Sequence, residues 1–172
     1  MNNFTDNTAG QFVRGTDHST IEHLDIPRYM GRWYEIARYD HRFERRMSEV
    51  TATYGLSPDG SIRVLNAGYK RDAHGRSKFR RIVGRAKIPD ATRPGRLKVS
   101  FFLWFYSDYY ILELDREGYN YALIGSSSDK YLWILSRTPQ LPEDVKNLLL
   151  TAALRRGYDI SRLLWIDQTR YI

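Results

Sequence analysis

Two short segments decide the fold: Gly31-Arg32-Trp33-Tyr34-Glu35-Ile36-Ala37-Arg38 near the start of the chain and Ser136-Arg137-Thr138-Pro139 near its end. A Trp two residues after a Gly can close the floor of a barrel, because the Gly leaves room for a close chain crossing. An Arg from far along the sequence can lay its guanidinium over that indole, in a cation–π contact worth about 0.5–2 kcal/mol. Either motif alone arises by chance, but both together, on either side of a strand-rich sequence, predict that Trp33 and Arg137 meet.

The sequence between these motifs alternates between apolar and polar residues, which is typical of β-strands. Eight strands are predicted, over residues 31–40, 49–57, 61–70, 78–88, 96–103, 108–115, 119–126 and 130–138. Consecutive strands joined by short loops favour an antiparallel up-and-down sheet, and closure into a barrel removes its exposed edges. Residues 142–156 change to a helical period and residues 163–166 resemble a strand again. The predicted fold is therefore an all-β, eight-stranded antiparallel barrel with a C-terminal α-helix packed outside and a short final strand.

Composition predicts one globular barrel domain over residues 21–172. The chain has 172 residues, of which 42% are hydrophobic and 14% aromatic, and a formal net charge of +7. The polar residues 1–20 are predicted to be a disordered tail or an expression remnant. The absence of Cys excludes disulfides, thiolate chemistry and Cys-ligated metals. The four His lack metal-ligand spacing, so neither a metal site nor a cofactor is predicted.

The motifs resemble those of the lipocalin family, and most closely those of the bacterial lipocalins related to apolipoprotein D. Gly31-x-Trp33 resembles the first family signature, Arg137 matches the Arg of the last, and residues 115–122 resemble the middle one. Residues 131–139 are similar to the bacterial subgroup in particular. The resemblance implies that Gly31, Trp33 and Arg137 lie at the closed end of the barrel.

The resemblance also has implications for location. It covers residues 24–168, and members of the bacterial subgroup are usually tethered to the outer membrane through a lipidated Cys. This chain has no Cys, and its first twenty residues lack the apolar stretch of a secretory signal. Location therefore stays open from the residues themselves, while the resemblance implies the bacterial cell envelope.

Alternation from Trp33 and Arg137 assigns the side chains that face the barrel axis. The predicted ligand-binding residues are Glu35, Ala37, Ala52, Tyr54, Val64, Asn66, Ile82, Val99, Phe101, Tyr109, Ile111, Glu113, Ile124, Tyr131 and Trp133. A mostly apolar lining with a few polar groups is typical of an apolar ligand site. Carboxylates such as Glu35 and Glu113 would need a partner, a raised pKa or water in such a place.

The open end of the barrel is predicted to be basic and apolar at once. Residues 70–81 hold six cations and one acid, a net charge of +5, and residues 103–106 form the apolar tip Leu103-Trp104-Phe105-Tyr106. Residues 40–48 lie at the same end, because alternate loops of an up-and-down barrel share an end. One interpretation is a solvated loop beside a lid, and the other is a peripheral contact with an anionic membrane or a lipid headgroup.

Three functions fit these features. The leading hypothesis is non-enzymatic binding, transport or storage of a hydrophobic ligand inside the barrel, such as a fatty acid or a lysophospholipid. One alternative is a small-molecule enzyme that uses the barrel carboxylate Glu35 or Glu113 as its acid or base. The other is a basic β-barrel that binds nucleic acid, which would need exposed aromatic residues among the basic ones, whereas most aromatic residues are predicted to face inward. A lipid-like partner and no nucleic acid are therefore expected, and both a monomer and a homodimer stay open.

Overall fold

The computed structural model describes residues 15–102 and 105–172, with Phe102 described by its backbone. Leu103 and Trp104, two residues of the apolar tip, lie outside the described residues. The elements are α1 Ile26–Tyr29, β1 Gly31–Tyr39, β2 Met47–Leu56, β3 Ile62–Arg71, β4 Ser77–Lys87, β5 Arg96–Phe102, β6 Phe105–Leu114, β7 Tyr121–Gly125, β8 Trp133–Ser136, α2 Glu143–Arg155 and β9 Leu163–Trp165, with 3₁₀ turns at Ile160–Arg162 and Thr169–Tyr171. Among the described residues no helix is both long enough and apolar enough to span a bilayer.

The strands form a closed antiparallel barrel, which confirms the predicted fold. Each strand from β1 to β7 pairs with the next one along the chain, and β8 pairs with β1 to complete the cylinder. The strand β2 stays beside β1 only as far as Tyr34, and β9 pairs with the same edge of β1 from Ala37 to Tyr39. The extra strand thus covers the backbone that β2 leaves unpaired, which lowers the cost of an open edge.

Two apolar cores lie on opposite faces of the barrel wall. The interior core includes Trp33, Tyr54, Val64, Ile111 and Ile124. The outer core lies between the wall and α2, and contains Ile36, Leu112, Leu123, Ile134, Leu149 and Ala153. The strands that α2 covers are therefore apolar on both faces, which explains why their alternation is weak in the sequence.

Two β-bulges reverse the predicted orientation of two residues. The register of β1 against β8 shifts between Glu35 and Ala37, and the register of β6 against β7 shifts between Ile111 and Glu113. A bulge places two residues opposite one, so the alternation of faces changes beyond it. Ala37 consequently lies in the outer core and Arg38 points inward. The prediction that Ala37 and Glu113 line the interior is wrong.

The ends of the two helices agree with their local sequence. Residues 26–29 form one α-helical turn that begins after Asp25, whose carboxylate accepts a hydrogen bond from the Arg28 N–H. The helix α2 stops before Gly157, which has φ +86°, a conformation that Gly adopts without strain. Upstream of α1, the Asp17 N–H donates to the Arg156 carbonyl, so this part of the N-terminal segment contacts the end of α2.

Candidate functional site

The floor of the barrel is built on Trp33, which is 0% exposed. Its indole N–H donates to the Tyr29 carbonyl at 2.9 Å, and the centres of the Trp33 and Tyr29 rings lie 5.0 Å apart. The Arg137 guanidinium lies 3.8 Å from the centre of the Trp33 ring. The predicted contact between the two ends of the sequence is confirmed, and it closes the barrel on the side of α1.

Arg137 also joins three backbone segments at the floor. Its guanidinium donates to the carbonyls of Tyr119 at 3.1 Å, Arg32 at 2.9 Å and Arg28 at 2.7 Å. Gly31 has φ +94°, and a Cβ there would lie 3.3 Å from the Arg137 Nη1 atom. Gly31 is required because any other residue would be strained and would crowd the guanidinium.

Above the floor, the phenols of buried Tyr29 and Tyr54 and of partly buried Tyr109 form a hydrogen-bonded group inside the barrel. The Tyr29 and Tyr109 hydroxyls lie 2.6 Å apart, and the Tyr54 hydroxyl donates to Tyr109 at 3.0 Å. Burial raises the pKa of the Tyr109 phenol well above its usual value, and neighbouring Tyr29 and Tyr54 raise it further. The group therefore stays protonated and satisfies its own polar atoms within an otherwise apolar wall.

Most of the predicted lining residues do face the interior. Nine of them belong to the interior core or pack against it: Ala52, Tyr54, Val64, Val99, Phe101, Tyr109, Ile111, Ile124 and Trp133. Asn66 is directly opposite Ala52 on one neighbouring strand and Ile82 on the other. Both residues therefore share the inward face of Ala52. Tyr131 stacks on Trp133 at 5.8 Å, and Glu35 is buried.

The interior remains accessible from the open end. Ala52, Phe101, Tyr109 and Trp133 are only partly buried, although they face the barrel axis. Ile82 is 42% exposed, and the pairing of β4 with β5 covers only Arg85–Lys87. Side chains that point inward and still contact solvent indicate space within the barrel rather than a wholly filled core.

Glu113 lies outside this interior. Its carboxylate accepts hydrogen bonds from the Arg156 guanidinium at 2.8 and 3.1 Å, beside the C-terminal end of α2. The ion pair closes one end of an outer groove of about 690 Å³ between α2 and the wall. Because Glu35 is inside and Glu113 outside, the two carboxylates do not face one common site as an acid–base pair.

A charged network covers part of the mouth of the barrel. Arg38, which is 2% exposed, donates to the Glu35 carboxylate at 2.5 Å and to the Glu44 carbonyl at 2.6 Å. The Glu44 carboxylate accepts from His41 Nε2 at 2.7 Å and from the Trp133 indole N–H at 3.2 Å. The loop between β1 and β2 therefore sends two side chains down into the mouth of the barrel.

The two carboxylates of this network titrate in opposite directions. Burial, and then the charge of Glu44, raise the pKa of Glu35 well above its usual value. The pKa of Glu44 is lowered, because hydrogen bonds and charges from His41 and Arg38 outweigh the effect of burial. Of the two carboxylates, Glu44 is therefore the one that carries a negative charge more readily beside Arg38.

Arg38, His41 and Glu44 were missed by the sequence argument. The signal for Arg38 is the pair Ile36-Ala37, because two successive apolar residues in an alternating strand indicate a bulge. No local signal marks His41 and Glu44. The indole that donates to Glu44 belongs to Trp133, 89 residues further along the chain, so the contact leaves no pattern in the local sequence. Among the described residues no group of three His, Asp or Glu side chains could hold a metal ion.

The outer rim of the mouth is basic. A concave surface of about 660 Å³, termed here the basic concavity, is lined by Arg46, Lys70, Arg71, Asp72, Arg76, Ser77, Lys78 and Arg80. Lys70 and Lys78 are directly opposite each other in the ladder, a placement that is unfavourable without a counter-anion. At the same end, Phe43 is 67% and Phe105 80% exposed.

The match to known proteins agrees with this architecture. The Lipocalin-like domain family matches residues 24–168, and the chain therefore belongs to the lipocalins. It is 45% identical over 150 residues to the outer membrane lipoprotein Blc of Escherichia coli, covering 87% of this chain and 82% of that protein.

More distant relatives share the same extent. Apolipoprotein D of Mus musculus is 34% identical over 155 residues, covering 86% of this chain and 78% of the relative. The solved structure of insecticyanin from Manduca sexta superposes with a TM-score of 0.69 at 22% identity, over 89% of this chain and 85% of that one, and so shares the fold.

Proposed function

We propose that the protein binds, and carries or stores, a lipid-like ligand inside the barrel without catalysis, and that the ligand is a fatty acid or a lysophospholipid. The observation that carries the proposal is a partly exposed apolar wall, closed at the floor by Trp33 and Arg137. The interior of an eight-stranded barrel is wide enough for one small ligand. A single hydrocarbon chain between Val99, Phe101 and Trp133 fits that limit.

The polar groups support an amphipathic ligand with its tail toward the floor. The lower wall is apolar apart from Asn66 and the three tyrosines Tyr29, Tyr54 and Tyr109, whose hydroxyls bond one another. The charged side chains of the interior lie at the mouth, where Arg38 and Glu44 face the axis. We also propose that the protein acts at the bacterial cell envelope, a location supported by the name of the Escherichia coli relative.

Substitutions that fill the interior should strongly weaken lipid binding. In Ala52→Trp or Ile82→Trp the indole would occupy the space beside the half-exposed inward residues, and we expect at least a tenfold loss of affinity for oleate. Titration calorimetry and Trp fluorescence of the wild type and both variants measure the effect. Two positions are used because one indole could fail to pack.

The matched control is Thr53→Trp, one residue along the same strand on the opposite face. It should bind oleate as the wild type does. Wild-type affinity in both inward variants, with unchanged denaturation midpoints, would place the ligand outside the barrel and contradict the proposed function.

We propose, in addition, that the mouth makes a peripheral contact with anionic membranes. The basic concavity supplies six cations, each worth roughly 1 kcal/mol near an anionic surface. This attraction fades within a Debye length of about 8 Å at physiological salt. Exposed Phe43 and Phe105 lie at the same end, and their insertion would add a contribution to membrane binding that does not depend on salt.

Co-sedimentation with anionic liposomes should therefore decrease with added salt without vanishing. Charge reversal of Arg76, Lys78 and Arg80 to Glu should reduce it at least threefold. The matched control reverses three exposed cations outside the basic concavity, Arg63, Arg85 and Arg93, and should change it little. Equal binding to neutral and anionic liposomes would leave the basic concavity as a solvated surface.

A further inference from the structure

The loop between β1 and β2, residues 40–46, is seated on the barrel by buried charge. The His41 and Glu44 side chains are 11% and 14% exposed, whereas the Arg45 side chain is 61% exposed. Phe43, between His41 and Glu44, points to solvent. Glu44 holds the loop in the mouth through polar contacts with His41, Trp133 and Arg38. The His41 ring adds edge contacts with the rings of Tyr131 and Trp133, at 5.9 and 5.5 Å between ring centres.

The fit between Glu44 and Arg38 is incomplete. The Glu44 carboxylate lies 3.9 Å from Arg38 Nε, beyond hydrogen-bond distance, while the Arg38 Nη2 atom bonds the Glu44 carbonyl instead. Among the described residues, Arg38 Nε and His41 Nδ1 are buried and have no hydrogen-bond partner. A buried guanidinium that is not fully bonded is costly, and its planar fork matches the paired oxygens of a carboxylate or phosphate.

The charges around Arg38 leave room for one anion. The groups that face it are Glu35 from its own strand, His41 and Glu44 from the loop, and Trp133 from β8. Burial raises the pKa of Glu35, whereas contacts with His41 and Arg38 lower that of Glu44, so Glu44 is the carboxylate that more readily supplies the negative charge. An incoming anion could replace Glu44 without changing the net charge inside the mouth.

We propose that Arg38 is the binding site for the anionic headgroup of the barrel ligand, a carboxylate or a phosphate, and that the Glu44 carboxylate occupies this position until the ligand displaces it. The inference rests on the proposed function, because it requires a lipid tail in the barrel below. The headgroup takes the free Nε donor of Arg38 and the Trp133 indole N–H. The released Glu44 carries loop 40–46 away from the mouth.

The test compares three probes that share an oleyl chain: oleate, oleoyl lysophosphatidate and neutral oleyl alcohol. Glu44→Gln removes the competing charge and keeps the size of the side chain. We expect it to bind at least one anionic probe fivefold or more tightly than the wild type at pH 7, with less than a twofold change for the alcohol. A gain for oleate alone assigns a carboxylate headgroup, and a gain for the lysophosphatidate alone assigns a phosphate.

Two further variants control the result. Asp40→Asn makes the same charge change in the same loop, at a side chain that pairs with exposed Arg45, and should leave all three affinities within twofold. The double variant Arg38→Gln, Glu44→Gln removes both charges together, so that neither is left buried alone. It should lose the gain of the single variant and bind the anionic probes at least tenfold more weakly than Glu44→Gln.

The inference is overturned if Glu44→Gln gains no affinity for either anion, gains equally for the alcohol, or is matched by Asp40→Asn. It is also overturned if the double variant keeps the gain. In these cases wild-type binding of the probes would leave the proposed function standing. A wild-type protein that takes up none of the three probes would instead overturn both.

Discussion

Replacement of Trp33 by Ala should lower the free energy of unfolding by about 3–5 kcal/mol, the range observed when a large buried aromatic side chain is truncated. The indole is wholly buried, packs on Tyr29 and Arg137, and donates to a backbone carbonyl. Its removal leaves a cavity at the floor and an unsatisfied carbonyl, and the Arg137 guanidinium loses the surface on which it lies. Chemical denaturation followed by circular dichroism measures the change.

Trp165→Ala is the matched control for this measurement. Trp165 lies on β9 at the outer surface, is 47% exposed, and has the Lys146 ammonium 4.5 Å from its ring. Its truncation should cost less than half as much as that of Trp33. Equal denaturation midpoints for the two variants would show that Trp33 contributes no more to stability than a surface Trp, contrary to its role at the barrel floor.

Replacement of Arg137 by Ala should cost about 2–3 kcal/mol. A hydrogen bond that involves a charged group contributes about 1.5–3 kcal/mol to stability, but the guanidinium is only half-buried, so solvent compensates for part of the loss. The three carbonyls of Arg28, Arg32 and Tyr119 belong to α1, β1 and the loop before β7. The Arg137 side chain thus reaches carbonyls that lie 105 and 109 residues earlier in the sequence.

Lysine at position 137 separates charge from geometry. Arg137→Lys keeps the charge over Trp33 but has no planar fork with which to bond three carbonyls, so an intermediate loss is expected. Arg116→Ala, an exposed cation in the neighbouring loop, should change the free energy of unfolding by less than about 0.5 kcal/mol. An Arg137→Ala variant as stable as Arg116→Ala would disprove the structural role.

The strands could be predicted from the sequence wherever apolar and polar residues alternate without interruption. All eight barrel strands, α2 and β9 lie where the patterns of apolar residues and turns place them. The meeting of Trp33 with Arg137 could be predicted because two specific motifs flank the whole strand region, and only a closed barrel brings them together. Nine lining residues followed from the same period.

The sequence argument failed where the orientation or burial of a residue depends on its tertiary contacts rather than on the local pattern. Ala37 and Glu113 follow bulges, and a bulge depends on how a strand registers with its partner rather than on the strand's own residues. The burial of Glu44 depends on Trp133 and Arg38 on two other strands. Such contacts have no period along the chain.

The sequence by itself therefore determined the barrel, its helix, its floor and the apolar character of its wall, because these follow from hydrophobic periodicity and from side chains with one favourable partner. Only the tertiary structure decided which carboxylate is inside, which arginine faces the ligand space and how loop 40–46 closes the mouth. The physical reason is that orientation beyond a bulge and the burial of a charge are set by neighbours distant in sequence. The proposed headgroup site at Arg38 belongs wholly to this second class.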